Sequence, residues 1–216
     1  MKIKLFSVAM GIALSATAIS ASAQKAYKEG TATISMTVMG QSIDAKSYFS
    51  ADSSAVMFNA GPAAVKVLRD NKGSFMAYLV DIPVMSKKVA AVAAPADIEQ
   101  EMSKLPVLTF APTTETKIIN GFNCKKVVAT DAKAGKTYDW WVTNDISLPK
   151  TSLDKYYEKA GGVPVQYSSV QNGQVSEISL KSVTEGKVPA GTFGIAKDYD
   201  RITMEEFNAM RGGGGN

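Results

Sequence analysis

Apolar and polar residues alternate strictly at the start of the chain's main body. In residues 31–38 every second residue is apolar, and the residues between are threonine or serine. A period of two over eight positions predicts a half-buried β-strand. Residues 43–49 repeat the pattern less sharply after Gly40, so the two segments predict a β-hairpin.

Similar short β segments recur along the rest of the chain, separated by residues that favour tight turns. The predicted strands cover 55–59, 64–69, 74–80, 107–110, 115–119, 122–130, 137–143, 163–170 and 174–183. The turn signals between strands are Gly61-Pro62, Asn71-Lys72-Gly73, Asn120-Gly121, 131–135 and Asn172-Gly173.

Three short segments instead predict helices. Pro95 and the acids after it suit the first turns of a helix that ends near residue 105. A second helix is predicted over 153–160, stopped by two glycines. A third is predicted over 203–210, where Thr203 and Glu206 have the spacing of a capping box.

Two neighbouring segments lack a polar face. Residues 74–80 are apolar on both sides, which predicts a strand that is covered on both faces or that borders an apolar cavity. Residues 82–94 have no clear period. They suit a loosely patterned edge strand or small-residue connection, or alternatively a mobile apolar loop beside a ligand cavity.

These elements predict a mainly β (α+β) fold. About ten strands in one open sheet would curl, so we expect a strongly curved antiparallel sheet, or half-barrel, with two or three short helices on its concave face. A closed barrel or a sandwich is the competing architecture. No composition shift marks a boundary, so residues 24–211 are predicted to form a single β-rich half-barrel domain, with 212–216 as a flexible glycine tail.

The first 23 residues have the three parts of a signal peptide. Lys2 and Lys4 precede an apolar stretch, and Ala21-Ser22-Ala23 offers small residues for cleavage. No cysteine follows Ala23 to accept a lipid. The sequence therefore predicts a periplasmic or secreted protein that is soluble, and not membrane-spanning, once the signal peptide has been cleaved near Ala23.

Composition removes several classes of function. The 24 Lys and Arg residues nearly balance the 20 Asp and Glu residues, and Lys2 and Lys4 belong to the predicted signal. Nucleic acid is therefore not an expected partner.

The chain has no histidine and one cysteine, Cys124. This excludes Ser-His-Asp and Cys-His catalysis, Cys/His zinc sites and internal disulfides within the chain. A lone cysteine in a β segment is usually a small buried hydrophobe, although it can also pair with another chain or carry redox chemistry.

No catalytic, metal or cofactor motif is present, so the sequence favours a protein that is not an enzyme. Trp140 and Trp141 are successive residues of one predicted strand and therefore point to opposite faces, one into the core and the other over an open face or cleft. A chain rich in Met and aromatic residues suits an apolar ligand. The candidate ligand-binding residues are Phe75, Tyr78, Met85, Trp140 and Trp141.

The order of features in the second half is similar to that of a known family. Its marks are Gly121-Phe122-Asn123-Cys124-Lys125-Lys126, the strand from Tyr138 to Thr143, the Pro149 region, and Val188-Pro189 followed by Phe193 and Tyr199. Together they resemble the exported bacterial domain of unknown function 4412, which has many members in Bacteroidetes. The resemblance implies similarity to the lipoprotein-carrier superfamily, with a curved half-barrel closed by helices over an apolar cavity. It implies no catalytic residue.

Three hypotheses about function follow. The first is a non-catalytic periplasmic binding or carrier protein for an apolar ligand, such as a lipid or an acyl chain. The second is a cell-envelope protein–protein interaction module with a filled core and no small ligand. The third is a hydrolase built on carboxylates, for which no motif is present.

Overall fold

The computed structural model describes residues 24–38, 41–171 and 174–212. Within them the strands run in this order: β1 (Lys25–Ala26), β2 (Gly30–Val38), β3 (Gln41–Phe49), β4 (Ser53–Ala60), β5 (Ala63–Asp70), β6 (Met76–Ile82), β7 (Lys87–Val92), β8 (Leu108–Ile119), β9 (Phe122–Asp131), β10 (Lys136–Thr143), β11 (Ile146–Ser147), β12 (Val163–Gln171), β13 (Gln174–Glu185) and β14 (Asp200–Ile202).

The helices are α1 (Pro95–Ser103), α2 (Asp154–Tyr157) and α3 (Met204–Gly212), with 3-10 turns at Pro83–Met85 and Glu158–Ala160. Two of the expected helices are confirmed. The N–H and hydroxyl of Thr203 donate to the Glu206 carboxylate, and the N–H of Glu206 donates back to Thr203 Oγ1, which completes the expected capping box. The expected middle helix is shorter, because α2 is a single turn that continues as a 3-10 turn.

Twelve strands form one sheet in the order β14-β7-β6-β5-β4-β3-β2-β13-β12-β10-β9-β8. Neighbours are antiparallel except β14, which runs parallel to β7. The short pair β1 and β11 is also parallel. The expectation of an antiparallel sheet is therefore correct except for these two parallel pairs. The reason is that β14 and β11 reach their partners through long connections and not through hairpins.

The sheet curls because of how β7 and β8 are connected. They follow each other in the chain, yet β8 is one edge strand and β7 lies next to the other edge, β14. Only residues 93–107, including α1, link them. The two ends of the sheet must therefore approach each other. β8 and β14 do not pair, so the described sheet is a half-barrel and not a closed barrel.

The helices pack on one face of the sheet, near both of its ends. Helices α1 and α3 bury Ile98 and Phe207 against β6 and β7. At the other end, Tyr157 and Ala160 pack on Trp140 of β10. Paired residues of adjacent strands share a face, and following the register across the sheet places both groups on the same side. That side is the concave face.

Strand β6 is covered on both sides. This confirms the first of the two expectations for residues 74–80, a strand covered on both faces. Its concave side meets the α1–α3 cluster through Met76. Its convex side buries Leu79 against the irregular segment 188–199, through Phe193 and Ile195. Lys66 Nζ donates to the carbonyl oxygens of Thr192 (3.4 Å) and Gly194 (3.2 Å), which fixes that segment on the sheet.

The apolar segment 82–94 is neither an edge strand nor a loop. After the 3-10 turn at Pro83–Met85 it forms β7, which lies between β6 and β14. Val89, Ala90 and Ala91 are buried, so the missing polar face reflects burial on both sides.

Several predictions fall outside the described residues: the signal peptide at 1–23, the turn at Gly40, the Asn172-Gly173 turn, and most of the glycine tail. Gly212 itself ends α3. Within the described ranges, no helix combines the length and apolar character needed to cross a membrane.

Candidate functional site

The concave face carries a continuous apolar row. Register pairs link one residue from each of seven adjacent strands across the sheet. In spatial order the row is Leu180, Ile34, Ala45, Phe58, Val65, Val80 and Val89. Since all these side chains are apolar and share one face, this surface suits contact with hydrocarbon and not with water.

The middle of this face is only half buried. Seven apolar side chains on the central strands keep partial exposure and belong to none of the buried clusters described for the chain. They are Met36, Ile43, Val56, Phe58, Val65, Val67 and Ile178. The helices therefore cover the ends of the concave face more completely than its centre.

One end of the site is walled by α1 and α3. The ring of Tyr78 on β6 stacks on Phe207 of α3, with ring centroids 5.6 Å apart. Ile98 of α1 is buried in the same cluster. Tyr78 therefore borders the half-buried centre on one side and the helices on the other.

The other end is an aromatic cluster around Trp140, whose side chain is almost fully buried. Its ring centroid lies 5.2 Å from Phe110, 5.5 Å from Tyr157 and 4.9 Å from Tyr167. Burial raises the pKa of Tyr167 far above its usual range, so this phenol is neutral at any ordinary pH. Trp140 Nε1 is buried without an acceptor among the described residues.

Arg69 places a positive charge on the concave face, close to the end of the central strand β5. Register places Arg69 of β5 opposite Met76, on the same side as Val67. Burial raises the pKa of Tyr157, and the positive charge of Arg69 opposes that rise. Among the described residues Arg69 makes no ion pair. Its charge is therefore available to an anionic group that enters this end.

A depression of about 630 Å³ lies elsewhere, on β3, β4 and β5 beside Tyr199. Its lining includes Lys46, Met57 and Lys66, which pair with one another on the convex side. Lys66 already donates to the segment 188–199, and burial lowers its pKa. The convex depression is more polar than the concave row.

The structure disperses the five candidate ligand-binding residues predicted from sequence. Tyr78 borders the centre of the concave face, and Trp140 is buried at its far end. Phe75 packs in the convex cluster with Phe193. Met85 is 66% exposed at the turn between β6 and β7.

Trp141, the fifth candidate, is half buried with Lys117 Nζ 4.0 Å from its ring centroid. Trp140 is in the core and Trp141 is partly exposed, which agrees with the prediction that the two side chains point in opposite directions. A ligand-binding role for any of the five stays a prediction.

Groups for metal or thiol chemistry are not assembled in the described part of the chain. No three His, Cys, Asp or Glu residues there are grouped to hold a metal ion. Cys124 is buried, and burial raises the pKa of its thiol. The expectation of a small buried hydrophobe at this position is confirmed.

Known proteins match this chain by structure and not by sequence. No family model and no curated sequence matches it. A structure of PNGF-II is similar over 85% of this chain, with 18% sequence identity and a TM-score of 0.50, but the chain spans only 32% of PNGF-II. LprF from Mycobacterium bovis is similar over 74% of this chain and 89% of its own, with 13% identity and a TM-score of 0.36.

These likenesses concern the fold alone. The expected membership of the domain of unknown function 4412 family is not supported, since no family model matches. The coarser expectation, a curved β-dominated fold with helices on one face, is confirmed by the structure itself.

The half-buried centre of the concave face was not among the sequence-predicted site residues. The alternation in 31–38 and 43–49 did place Ile34, Met36, Ile43 and Ala45 on the apolar sides of their strands. The register that aligns seven strands into one row could not be inferred from the sequence. Apolar alternation in several consecutive strands was the signal that could have pointed to this face.

Proposed function

We propose that this chain is a non-catalytic binding or carrier protein of the periplasm or extracellular space, which shelters an apolar ligand such as a lipid or acyl chain on its concave face. The proposal rests on one observation: seven half-buried apolar side chains at the centre of that face, between two ends covered by helices. The predicted export signal supports the location.

The energetics suit such a ligand. Transfer of each methylene group from water to an apolar surface is favourable by about 0.8 kcal/mol, so several methylenes on this row would give useful affinity. The half-buried row also needs no polar partner, whereas a polar ligand would lose hydrogen bonds to water. Arg69 adds a place for an anionic head group on the same face, at the end of β5.

Native mass spectrometry of protein purified from its host, followed by lipid extraction, tests this proposal. We expect an adduct with the mass of a lipid or fatty acid, and uptake of a fluorescent fatty acid after the adduct is stripped. The protein's own denatured mass is the control for covalent modification. A clean apo mass together with no uptake of the fluorescent fatty acid would exclude the proposed function.

An envelope interaction module is the second candidate, because one surface outside the concave face suits a partner. Strand β8 is an edge strand, and Ile118 on it is 73% exposed. Trp141 and Lys117 lie nearby. A crosslinking pull-down from the periplasm should then recover a specific partner that an Ile118→Lys variant fails to recover. Recovery of lipid without any partner would contradict this second candidate.

A further inference from the structure

The strand directions divide the turns between two ends of the half-barrel. One end, here called the rim, comprises 60–63, 83–86, residue 107, the 132–135 loop and the start of β13. Antiparallel pairing brings these segments to the same end of the sheet. Strands β4, β6 and β9 end there, and strands β5, β7, β8, β10 and β13 begin there.

Exposed apolar side chains concentrate at the rim. Of the six large hydrophobic residues described as exposed, five lie there and only Ile118 lies elsewhere. Met210 is placed at the rim by its sulfur, 4.0 Å from Lys87 Nζ at the start of β7. The five are Val84 (79%), Met85 (66%), Val107 (79%), Val175 (44%) and Met210 (40%).

Three lysines at the rim have no carboxylate partner among the described ion pairs. Lys133 and Lys136 are exposed in and after the β9–β10 loop, and Lys87 is half buried beside the 83–86 turn. Asp131, which precedes the 132–135 loop, is buried, and its carboxylate accepts the N–H groups of Lys133 (3.0 Å) and Ala134 (3.1 Å). The neighbouring Lys88 differs, because its ammonium group pairs with the carboxylates of Asp81 (3.4 Å) and of the exposed Asp198 (2.8 Å). The described rim therefore presents three unpaired lysines beside exposed apolar side chains.

The opposite end has less exposed apolar surface, since of the six exposed large hydrophobic residues only Ile118 lies there. Its turns and strand ends mix carboxylates with exposed lysines: Asp52, Asp70, Asp145 and Glu185 beside Lys28, Lys72, Lys150 and Lys187. The two ends therefore differ in exposed apolar surface and not in the sign of their charge.

We propose that the rim docks on the surface of a membrane that contains anionic phospholipid. Val84 and Met85 enter the boundary between head groups and acyl chains, and the three lysines meet the phosphates. Single apolar side chains supplied by separate turns and accompanied by ammonium groups suit such a boundary, where apolar burial and attraction to anionic lipid add together. Docking does not depend on an occupied concave face, so it goes beyond the proposed carrier function.

The expected binding is weak and reversible. Each lysine near an anionic surface strengthens binding about fivefold at moderate salt, and the apolar side chains contribute in proportion to the area that they bury. Binding should therefore weaken as salt rises.

Vesicle co-sedimentation tests the docking. Protein expressed from the complete gene, with its N-terminus checked by mass, is mixed with vesicles of phosphatidylcholine alone or with phosphatidylglycerol added. We expect binding only to the anionic vesicles. The double variant Val84→Ser/Met85→Ser should lower the bound fraction about tenfold or more, and Lys133→Gln/Lys136→Gln about tenfold or more. Ile118→Ser, which removes an equally exposed apolar side chain away from the rim, should bind like the original protein.

Three results would overturn the proposal: no binding to anionic vesicles at low salt, equal binding by the Val84/Met85 double variant, or an equal loss in Ile118→Ser. Circular dichroism of each variant separates a docking defect from misfolding. If the protein forms a dimer that the double variant abolishes while vesicle binding is absent, the rim is a contact between copies and the membrane proposal is wrong. Since ligand uptake is measured separately, failure here leaves the carrier function standing.

Discussion

The hydroxyl of Tyr156 donates a hydrogen bond to the backbone carbonyl oxygen of Met102, 3.2 Å away. Tyr156 belongs to α2, which packs at the β10 end of the sheet, and Met102 belongs to α1, which packs at the β6–β7 end. This bond therefore joins the two helical covers of the concave face.

The substitution Tyr156→Phe should loosen α1 without unfolding the sheet. A hydrogen bond of this kind is worth about 1 kcal/mol, so amide exchange in α1 should become roughly fivefold faster. Ligand release should also become faster if α1 covers the bound chain. Hydrogen exchange read by mass spectrometry over residues 95–103 measures this. Tyr138→Phe, in the β10 cluster, is the matched control, and unchanged exchange in α1 of Tyr156→Phe would show that the bond does not hold the helix.

Filling the concave face separates the two candidate functions. Val67 lies at the half-buried centre, in register with Val56 and Tyr78. If the face holds a ligand, Val67→Trp should reduce fatty acid uptake about tenfold with little change in the free energy of unfolding. If the face is instead a filled core, the larger side chain should lower that free energy by about 1–3 kcal/mol. Urea unfolding and a fluorescent fatty acid assay measure both, and Lys46→Trp on the convex face is the control.

Arg69 should select the ligand's head group. Its charge lies on the concave face and meets no described carboxylate. We expect Arg69→Gln to weaken binding of a fatty acid about tenfold and to leave binding of the fatty alcohol of equal length almost unchanged. Competition against a fluorescent probe measures the two affinities. Equal losses for acid and alcohol would mean that Arg69 supports the fold and not the head group.

Acid should weaken the turn between β5 and β6. Burial alone would raise the pKa of Asp70, but hydrogen bonds from Ser74 Oγ and from the N–H groups of Ser74 (2.8 Å) and Phe75 (3.0 Å) outweigh it and lower the pKa. A carboxyl whose folded pKa is lowered stabilises the fold fully above its unfolded pKa of about 3.9, and that stabilisation is lost as pH falls through the folded value.

Asp70→Ala should therefore lower the free energy of unfolding by about 1 kcal/mol at neutral pH, and the difference should shrink steadily below about pH 4. Urea unfolding at several pH values measures it. Asp44→Ala, an exposed acid on β3, controls for a general change in charge. A difference from the original protein that stays constant into acid would show that the Asp70 carboxylate is not the stabilising group.

Much of the fold could be predicted because its turns and alternation are local. Asn120 and Gly121 both adopt positive φ, as the Asn-Gly signal requires. The hairpin over 122–143 and the capped helix at 203–210 were likewise visible in short windows of sequence. Such features depend on neighbours a few residues apart, so a single sequence contains them.

The remaining features depend on distant partners. β14 has three residues, and it becomes a strand only because the segment 188–199 delivers it to β7. Residues 82–94 gave no period, because β7 is covered by α1 and α3 on one side and by 188–199 on the other. The apolar row from Leu180 to Val89 needs seven strands in one register. No local pattern specifies those relationships.

The pairing of β2 with β13 has a consequence for the order in which the protein folds. Strands β2–β7 form one run of neighbours and β8–β13 supply another, and only the β2–β13 ladder joins the two runs within the sheet. Strand β2 (Gly30–Val38) therefore cannot pair on this edge until β13 (Gln174–Glu185) is available. If the chain crosses a membrane N-terminus first, this edge of β2 stays unpaired until nearly the whole chain has emerged. Contacts so distant in sequence form slowly and leave strand edges exposed to wrong partners. We therefore expect this protein to need protection by a chaperone during the interval before its last long strand arrives.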